Sequence, residues 1–459
     1  MRHSLLSMLV VTGLSTLLVP NAAAQVEQKV LGDIKAAVDA VSSAKIEATV
    51  RKLVSFGTRH TMSETKSETV GIGAARRWLK QHLETIAEET GGNLKISLER
   101  HALGASRRIP NGAEVVNVVA TLPGTDPDRW VIVSGHYDSR ASRGSDATSD
   151  APGADDDASG TAVVVEAARV LGGLRPRATI LFMCVAGEEQ GLLGARAHAK
   201  MAFDQNRRIE AMFTNDIVGG VLGSSGKREP RRLRLFSEGN PSGPKNDNGR
   251  PPKTVVGSDN DATSRQVARY IKARGEAYVD EFEVTLIFRQ DRYGRGGDHR
   301  AFNDFGYPAV RFTECHENYA WQHQNVRIEN GRKMGDLPDN LDYGFVRRVC
   351  QTNVSALAEI ALAPSSPRQV RVLLGRLTPH TELAWEKNPE KDIAGYGILS
   401  RRTHEPTWTH RRVVDASKTT VTLEGFSKDD WLFAVEAIDQ QGRRSIPVYP
   451  KPSYGRRRR

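Results

Sequence analysis

The chain lacks several of the features that identify common enzyme and disulfide-rich classes. Its 459 residues contain three cysteines, too few for a disulfide framework and without the paired spacing of a cysteine zinc site. Cys184 lies in an apolar run and is expected to be buried, whereas Cys315 and Cys350 could pair. There is no Gly-x-Ser-x-Gly motif, no phosphate-binding glycine loop and no His-Glu-x-x-His helix. These absences argue against a serine hydrolase, a nucleotide-binding enzyme and a one-metal zinc peptidase.

A concentrated basic surface is also missing. Lys and Arg number 65 against 55 for Asp and Glu, which gives a formal net charge of +10. Part of the excess lies at residues 227–234 and 456–459, and the rest is scattered. Aromatic residues make up 6 % of the chain, and no nucleic-acid-binding signature occurs. We therefore expect no nucleic-acid partner.

The first 24 residues predict a secretory signal peptide. A short basic start is followed by an apolar run at residues 5–19 and by Ala22, Ala23 and Ala24, the small residues that a signal peptidase needs. The alternative is an uncleaved anchor, but the run is shorter than the about 20 residues that span a bilayer. No later stretch is apolar enough to cross a membrane. We expect a soluble, secreted or periplasmic protein that begins at Gln25.

Residues 25–362 alternate between apolar strands and helices after a helical stretch at 46–89. Strands are predicted at residues 115–122, 130–135, 178–186, 212–216 and 309–314, and helices at 159–174, 263–273 and 343–362. Near-continuous apolar strands indicate an α/β fold with a mainly parallel mixed sheet between helices. Sites in such sheets form at the carboxyl ends of strands. Residues 219–261 are either a loop beside the site or a solvated insertion.

Five short motifs place metal-binding or proton-transferring side chains at or just after predicted strands. In chain order they contain His136 with Asp138, the run Asp155, Asp156 and Asp157, the pair Glu188 and Glu189, Asp216, and His323. Each motif taken alone fits a surface or capping role as well. Together they bring imidazoles and carboxylates from separate strand ends to one crevice. Such a mixed set without thiolate suits a two-metal hydrolytic site.

In order and spacing these motifs resemble the M28 family of zinc peptidases, whose best-known members are bacterial aminopeptidases. The resemblance covers residues 45–362 and implies a phosphorylase/hydrolase-like zinc peptidase core. It also implies two zinc ions and a ligand set carried over motif by motif. In that set Asp156 bridges the ions, His136 and Asp216 hold one of them, and Glu189 and His323 hold the other.

The same resemblance implies roles for the remaining site residues. Glu188 would be the general base that takes a proton from a metal-activated water, and Asp138 would support His136. Two positions depart from the family. Asp155 stands where members often have Asn, which adds a negative charge beside the metals, and Gln322 stands where many have Tyr. The side-chain amide of Gln322 is a weaker acid than the hydroxyl of Tyr, but it would still help to stabilise the oxyanion by donating a hydrogen bond.

Two other histidines compete for the position of last ligand. His316 and His299 both lie near the strand at residues 309–314. His323 fits the family's distance from that strand better. Asp298 and His299 open a short helix, and we interpret them as a local cap or a surface pair.

The chain changes character beyond a Pro/Ser linker at residues 363–367. Residues 368–459 contain short alternating runs separated by turns, the pattern of an all-β sandwich with a basic tail. Trp385 and the strand of Tyr396 resemble a fibronectin type III module. All candidate site residues precede the linker, so we expect a separable module that binds a surface or partner. The alternative is a module that packs on the core and shapes the cleft.

These expectations describe an exported di-zinc aminopeptidase that acts on peptides or proteins. Two alternatives share the fold: a carboxypeptidase and a single-zinc cyclase of N-terminal glutamine. A third is a secreted binding protein with a degenerate peptidase core. The full ligand set favours two metals and hydrolysis, and the intact pair Glu188 and Glu189 argues against degeneracy.

Overall fold

The computed structural model describes residues 31–240 and 261–454. The predicted signal peptide, part of the 219–261 segment and the basic tail lie outside these residues. The strands before the linker are β1 (Lys95–Leu103), β2 (Ala113–Leu122), β3 (Asp126–His136), β4 (Ala178–Val185), β5 (Arg208–Asn215), β6 (Arg232–Ser237), β7 (Glu283–Ile287), β8 (Ala309–Glu314), β9 (Arg327–Glu329) and β10 (Arg332–Met334). The α-helices are α1 (Gly32–Asp39), α2 (Ser43–Val54), α3 (Gly71–Glu89), α4 (Gly160–Leu171), α5 (Leu193–Asp204), α6 (Thr263–Tyr278), α7 (His299–Asn303) and α8 (Tyr343–Leu362).

The first eight strands form one sheet in the order β1-β2-β4-β3-β5-β8-β6-β7. Its four central strands, β4, β3, β5 and β8, run parallel, whereas β2 joins β4 and β6 joins β8 in antiparallel fashion. The sheet confirms the predicted mainly parallel mixed α/β fold. The carboxyl ends of the four parallel strands therefore lie at one edge, where such folds place their sites.

Helices cover both faces of the sheet. The larger core joins α1, α2, α3, α4, α6 and α8 to one face, and α5 and α7 cover the other. Along β3, Val131 and Val133 point into the larger core and Ile132 into the smaller one, as the two-residue period of a strand requires. Burial on both faces explains why these strands are apolar throughout. Among the residues that the structure describes, no helix is both long and apolar enough to cross a membrane.

The helical stretch predicted at residues 46–89 is in fact two helices, α2 and α3, separated by a loop at residues 55–70. Gly71 starts α3 with a φ of 82°, and a Cβ there would lie 2.3 Å from the carbonyl oxygen of Glu64. Only glycine tolerates both conditions. The loop carries Arg59, which is fully buried.

All three cysteines are free. Cys184 is buried in β4, and burial raises the pKa of its thiol. Cys350 is buried in α8, and its Sγ faces the carbonyl oxygen of Val163 at 3.8 Å. Cys315 follows β8, so the pairing considered for Cys315 and Cys350 does not form.

Beyond the linker the described chain forms two further sheets. Their strands are β11 (Arg368–Leu373), β12 (Thr381–Glu386), β13 (Ile393–Arg402), β14 (His410–Asp415), β15 (Thr420–Leu423), β16 (Trp431–Asp439) and β17 (Lys451–Ser453). The sheets have the orders β15-β12-β11-β17 and β14-β13-β16. They share one apolar core, in which the rings of Trp385 and Tyr396 lie 5.2 Å apart between centroids. We call this unit, residues 368–453, the β-sandwich.

The β-sandwich packs against the α/β core through buried and half-buried ion pairs. Nη2 of Arg177 lies 2.5 Å from Oδ2 of Asp392 and 3.0 Å from Oδ2 of Asp439. The buried carboxylate of Asp261 pairs with Arg401 at 2.5 Å. Since Arg177 directly precedes β4, the β-sandwich contacts the end of the sheet opposite the carboxyl ends of the parallel strands. On separation Arg177 would lose both aspartates and the buried Arg401 would lose Asp261, whereas Asp261 would keep Arg269 of α6.

Candidate metal centre

His136 is the last residue of β3, and its ring is held from two sides. Its backbone N–H donates to Oδ2 of Asp157 at 2.9 Å, and its Nδ1 lies 3.0 Å from the carbonyl oxygen of Asp138. This arrangement leaves Nε2 directed at Oδ1 of Asp156, 3.1 Å away. Because β3 is buried along its inner half, the imidazole is fixed at the sheet edge.

The acidic turn before α4 sends its three carboxylates in different directions. Asp156 alone of the three lines the cleft. Asp157 accepts from the backbone of His136 and from the first turn of α4, which ties the two elements together. Asp155 accepts from the backbone N–H of Gly219 at 2.7 Å, and burial raises its pKa to about 6. The negative charge expected beside the metals from Asp155 is therefore turned away from the cleft.

Glu188 and Glu189 follow β4, and Asp138 organises their backbone. Oδ1 of Asp138 accepts from the N–H of Glu188 and Oδ2 accepts from the N–H of Glu189, both at 3.2 Å. Both glutamates line the cleft. Asp138 thus orients the glutamate turn as well as lying beside His136, where the resemblance placed it.

Asp216 follows β5 at the same edge and is held by a buried guanidinium. Nη2 of Arg311, a fully buried residue of β8, lies 2.8 Å from Oδ1 of Asp216. The same nitrogen donates to the carbonyl oxygen of Asp216 at 3.2 Å. Burial raises the pKa of Asp216, and the charge of Arg311 opposes that shift.

His323 lies in the loop after β8 and closes the set. Its Nε2 is 2.9 Å from both Oδ2 of Asp156 and Oε1 of Glu189. The side-chain amide of Gln322 donates to Oδ2 of Asp156 at 3.2 Å. That contact uses one of the two N–H hydrogens of the amide, so Gln322 orients Asp156 and keeps one hydrogen for the expected role as oxyanion donor.

The predicted ligands fall into two groups that share one residue. The groups are His136, Asp156 and Asp216, and Asp156, Glu189 and His323, with the ligand atoms of each group within 4.8 Å of one another. In the part of the chain that the structure describes, Nε2 of His136 and Oε1 of Glu189 are buried without a hydrogen-bond partner of good geometry. Each group thus contains one such atom, and all of its ligand atoms are nitrogen or oxygen, which fits bound zinc.

The imidazoles of the two groups carry raised pKa values in the protein without metal. Burial disfavours the charged form of His136, but the carboxylates of Asp157, Asp138 and Asp156 raise its pKa well above the usual value. At His323, Glu189 and Asp156 likewise outweigh burial and raise the pKa to about 10. A divalent cation would therefore replace protons at these sites.

Neither of the competing histidines belongs to a metal group among the described residues. His299 is fully buried, its Nε2 lies 2.9 Å from the carbonyl oxygen of Gln290, and burial lowers its pKa to about 4. Asp298 is also fully buried, and burial raises its pKa to about 7. The interpretation of Asp298 and His299 as a surface pair is therefore wrong, because α7 packs against the sheet. Asp298 directly precedes α7, as a cap would, but its side chain makes no capping hydrogen bond. His316 lies beside Gly223.

Two buried residues that the sequence did not single out hold the acidic turn in place. Arg59 donates to the carbonyl oxygens of Tyr137 at 2.7 Å, Pro152 at 2.6 Å and Gly153 at 2.9 Å. The carboxylate of Asp336 accepts from the backbone N–H groups of the two aspartates at positions 155 and 156, each at 2.8 Å. Both act on backbone groups, for which the sequence carries no recognisable pattern.

Known proteins are similar to this chain over most of its length. Residues 117–330 match the model of peptidase family M28. A "Probable zinc metalloprotease" of Pyrenophora teres f. teres is 39 % identical over 422 residues, which cover 92 % of this chain and 87 % of the relative. Another of that description, from Pyricularia oryzae, is 40 % identical over 428 residues, covering 92 % and 84 %. These relatives are fungal, so they do not support the bacterial origin suggested by the resemblance.

The fold also occurs in a solved aminopeptidase. The crystal structure of the LapA aminopeptidase of Legionella pneumophila matches 73 % of this chain and 78 % of its own, with a TM-score of 0.52 and 20 % identity. Likeness at that identity concerns the fold. The ligand positions rest on the distances given above.

Proposed function

The chain belongs to peptidase family M28 and is a zinc metallopeptidase, and on that premise we propose that it removes the N-terminal residue of peptides or proteins with two zinc ions. The observation that carries the proposal is the membership of Asp156 in both donor groups. Oδ1 of Asp156 faces His136 and Oδ2 faces His323. A carboxylate placed in this way is suited to bridge two ions.

The side chains around the cleft have separate roles in this reaction. When bound, zinc would polarise the scissile carbonyl and lower the pKa of a water molecule. Glu188 lines the cleft but belongs to neither donor group, which leaves its carboxylate free to act as the general base. It takes a proton from the attacking water and delivers it to the amine nitrogen as the peptide bond breaks. In the metal-free protein, burial raises the pKa of Glu188, and the positive charge of bound zinc would lower it again and favour the carboxylate.

The cleft supports a preference for chain ends. It encloses about 380 Å³, towards the small end of the range for ligand sites. Its carboxylates are Asp156, Glu188, Glu189 and Asp216. Oxygens of these groups that are not used by metal accept hydrogen bonds from the substrate ammonium group, which internal residues of a protein lack.

Glu188→Gln tests the role of the base. We expect turnover of an aminoacyl anilide to fall by about 10²- to 10⁴-fold, the range for loss of a general base, while elemental analysis still finds two zinc ions per chain. Glu329→Gln, which removes an exposed carboxylate outside the cleft, is the matched control. Near-normal turnover in Glu188→Gln would remove Glu188 from this role.

Four substrates separate the aminopeptidase from its alternatives. Free aminoacyl anilides report N-terminal cleavage, and N-acetylated anilides should resist it. Peptides with a blocked amino end and a free carboxyl end report carboxypeptidase activity, and peptides that start with glutamine report cyclisation. Release of C-terminal residues from the blocked peptides, or cyclisation with one zinc per chain, would replace the proposal. Zinc binding without turnover of any substrate would identify a binding protein.

Export and a binding role for the C-terminal unit complete the proposal. The small residues Ala22 to Ala24 after an apolar run support a cleaved signal peptide. The core around Trp385 and Tyr396 supports a fibronectin type III-like β-sandwich. Sequencing of the amino end of the exported protein, with Gln25 expected first, tests the former.

A further inference from the structure

Arginines are the commonest residues around the cleft in front of the metal centre. Five of its fifteen lining residues are arginine, and four are carboxylates. We call the five the arginine rim: Arg108, Arg140, Arg292, Arg295 and Arg300. Such a concentration of one charge contrasts with the scattered basic residues elsewhere in the chain.

The two kinds of charge occupy different depths. The carboxylates of Asp156, Glu189 and Asp216 are buried, with 6 % or less of each residue exposed. Arg108 and Arg300, by contrast, are exposed to solvent. A substrate therefore meets guanidinium groups at the mouth of the cleft and carboxylates at its floor.

Two arginines of the rim share a single carboxylate. Arg292 and Arg295 both pair with Glu317, which also accepts from Arg234 at 3.1 Å. Arg292 also pairs with Asp291 at 3.2 Å, so three guanidinium groups face two carboxylates and leave an excess of positive charge on this wall of the cleft.

The other three arginines are bound weakly or through backbone groups. Nη1 of Arg108 donates to the carbonyl oxygen of Glu189 at 2.8 Å, and Nη1 of Arg140 lies 3.6 Å from Oε2 of the same residue. Nη1 of Arg300 donates to the carbonyl oxygen of Arg295 at 3.4 Å. Arg108 and Arg300 make no ion pair within residues 31–240 and 261–454. Their remaining N–H groups are free to bind a carboxylate in the forked geometry that guanidinium favours.

The charge of the rim persists when the metal centre is filled. This step rests on the proposed function, in which two divalent cations balance the four cleft carboxylates. The five arginines then give the mouth of the cleft a positive potential, because outside the metal centre their carboxylate partners are Glu317 and Asp291, two negative charges against five positive ones. Such a potential attracts anionic substrates and repels cationic ones.

We propose that the arginine rim binds a carboxylate of the substrate next to the cleaved bond, so that the enzyme prefers acidic peptides. The carboxylate has two sources: the side chain of Asp or Glu at the first or second position, and the free carboxyl end of a short peptide. The buried carboxylates at the floor take the substrate amine, and the rim takes the carboxylate, which orients the substrate across the cleft.

Matched peptides distinguish the sources of the carboxylate. Glu-Ala-Ala amide is compared with Met-Ala-Ala amide, Ala-Glu-Ala amide with Ala-Gln-Ala amide, and Ala-Ala-Ala with its amide. We expect a higher kcat/KM for the acidic member of at least one pair, falling as salt screens the rim. Arg300→Gln should lower that preference about fivefold, the effect of losing about 1 kcal/mol of ion-pair energy. Arg175→Gln, an exposed arginine outside the cleft, should leave it unchanged.

Binding to the full-length Glu188→Gln variant separates this inference from the proposed function. Calorimetry on that zinc-loaded protein compares the acidic and neutral peptides without turnover. Equal affinities within all three pairs, or a preference that survives Arg300→Gln and Arg108→Gln, would overturn the arginine rim. Equal rates of N-terminal cleavage for acidic and neutral peptides would also overturn the proposed role of the arginine rim, but would agree with the aminopeptidase proposal. Release of the C-terminal residue from the free peptide but not from its amide would agree with carboxylate binding by the arginine rim and contradict the aminopeptidase proposal.

Discussion

Nη2 of Arg311 lies 2.8 Å from Oδ1 of Asp216, and both residues are buried. The guanidinium engages one carboxylate oxygen and the backbone carbonyl of Asp216. The other oxygen, Oδ2, remains towards Gly297, where a Cβ would lie 2.8 Å away. Arg311 therefore holds the carboxylate of Asp216 through one oxygen and through the backbone of the same residue.

Arg311→Met should weaken the binding of one zinc ion. We expect the affinity for that ion to fall about 10- to 100-fold, as when other partners of metal ligands are removed, and the ion at Glu189 and His323 to remain. Zinc titration with a competing chelator measures both steps. Arg129→Met is the control, because it removes another fully buried arginine, paired with Glu210 at the opposite end of β3. Equal zinc affinity in the two variants would contradict the role of Arg311.

Asp336→Ala should weaken the binding of both zinc ions, because it removes the hydrogen bonds that hold the backbone of the shared ligand, Asp156. Without the carboxylate, the N–H groups of Asp155 and Asp156 lose their acceptor inside the protein. We expect unfolding free energy to fall by about 1–3 kcal/mol for the unsatisfied donors, together with zinc content. Asp339→Ala removes an exposed carboxylate three residues later and should change neither. Full zinc content in Asp336→Ala would show that the turn holds without it.

The stability of the metal-free protein should fall as pH rises above the ordinary histidine range. The pKa of His323 is raised from 6.5 to about 10 by Glu189 and Asp156 against the effect of burial. The stabilisation from its proton is therefore complete below pH 6.5 and is lost as pH rises through about 10. Thermal unfolding of chelator-treated protein between these pH values measures the loss. His323→Gln should flatten this part of the profile and lose zinc.

His316→Gln is the control for that experiment, since His316 belongs to neither donor group. It should keep both the pH slope and the zinc. If His316→Gln lost zinc and the pH slope while His323→Gln kept both, the last ligand would be His316.

Removal of the β-sandwich should cost stability but not the chemistry of the cleft. A chain that ends at Pro364 leaves Asp261 without Arg401 and Arg177 without its two aspartates. No residue of the β-sandwich lines the cleft. We therefore expect a lower Tm and, below that temperature, similar kcat/KM on small substrates.

Arg401→Met tests the same interface within the full chain. It should reduce the free energy of unfolding by about 1.5–3 kcal/mol, the contribution of a hydrogen bond to a charged group, because Asp261 keeps its pair with Arg269. We expect little effect on kcat/KM. Arg412→Met, at an exposed position of β14, should change neither. Loss of small-substrate activity in folded Arg401→Met would show that the β-sandwich shapes the cleft.

The sheet and the strand-end residues could be predicted because both depend on patterns of consecutive residues. A strand buried on both faces is apolar throughout, so the ends of β3 and β8 fall where apolar runs stop, at His136 and Glu314. The strands β1 and β7 lie at the sheet edges, where half-exposed residues interrupt the pattern, and they were not predicted. The position of His323, in the loop beyond β8, came from the family resemblance.

The supports of the metal centre could not be predicted, because their partners are distant in the chain. Arg59 reaches carbonyl oxygens on two segments, and Asp336 reaches two amide groups far ahead of it. Almost every residue type has the same backbone N–H and C=O groups, so the identity of the partner residue does not indicate such a hydrogen bond. The charge of Asp155 could be read from the sequence, but the direction of its side chain could not, because it depends on the contact with Gly219 and the turn around it.

The support from Asp336 also determines when during synthesis the centre can first form. The loop of Arg59 is made early, and His136, Asp156, Glu189 and Asp216 follow, but His323 and Asp336 are added only near the end of the α/β core. A nascent chain that stops before them has four ligands, no closed second group and an acidic turn without its acceptor. Fragments that end before Asp336 therefore lack the complete centre, whereas synthesis of the β-sandwich is not needed to assemble it.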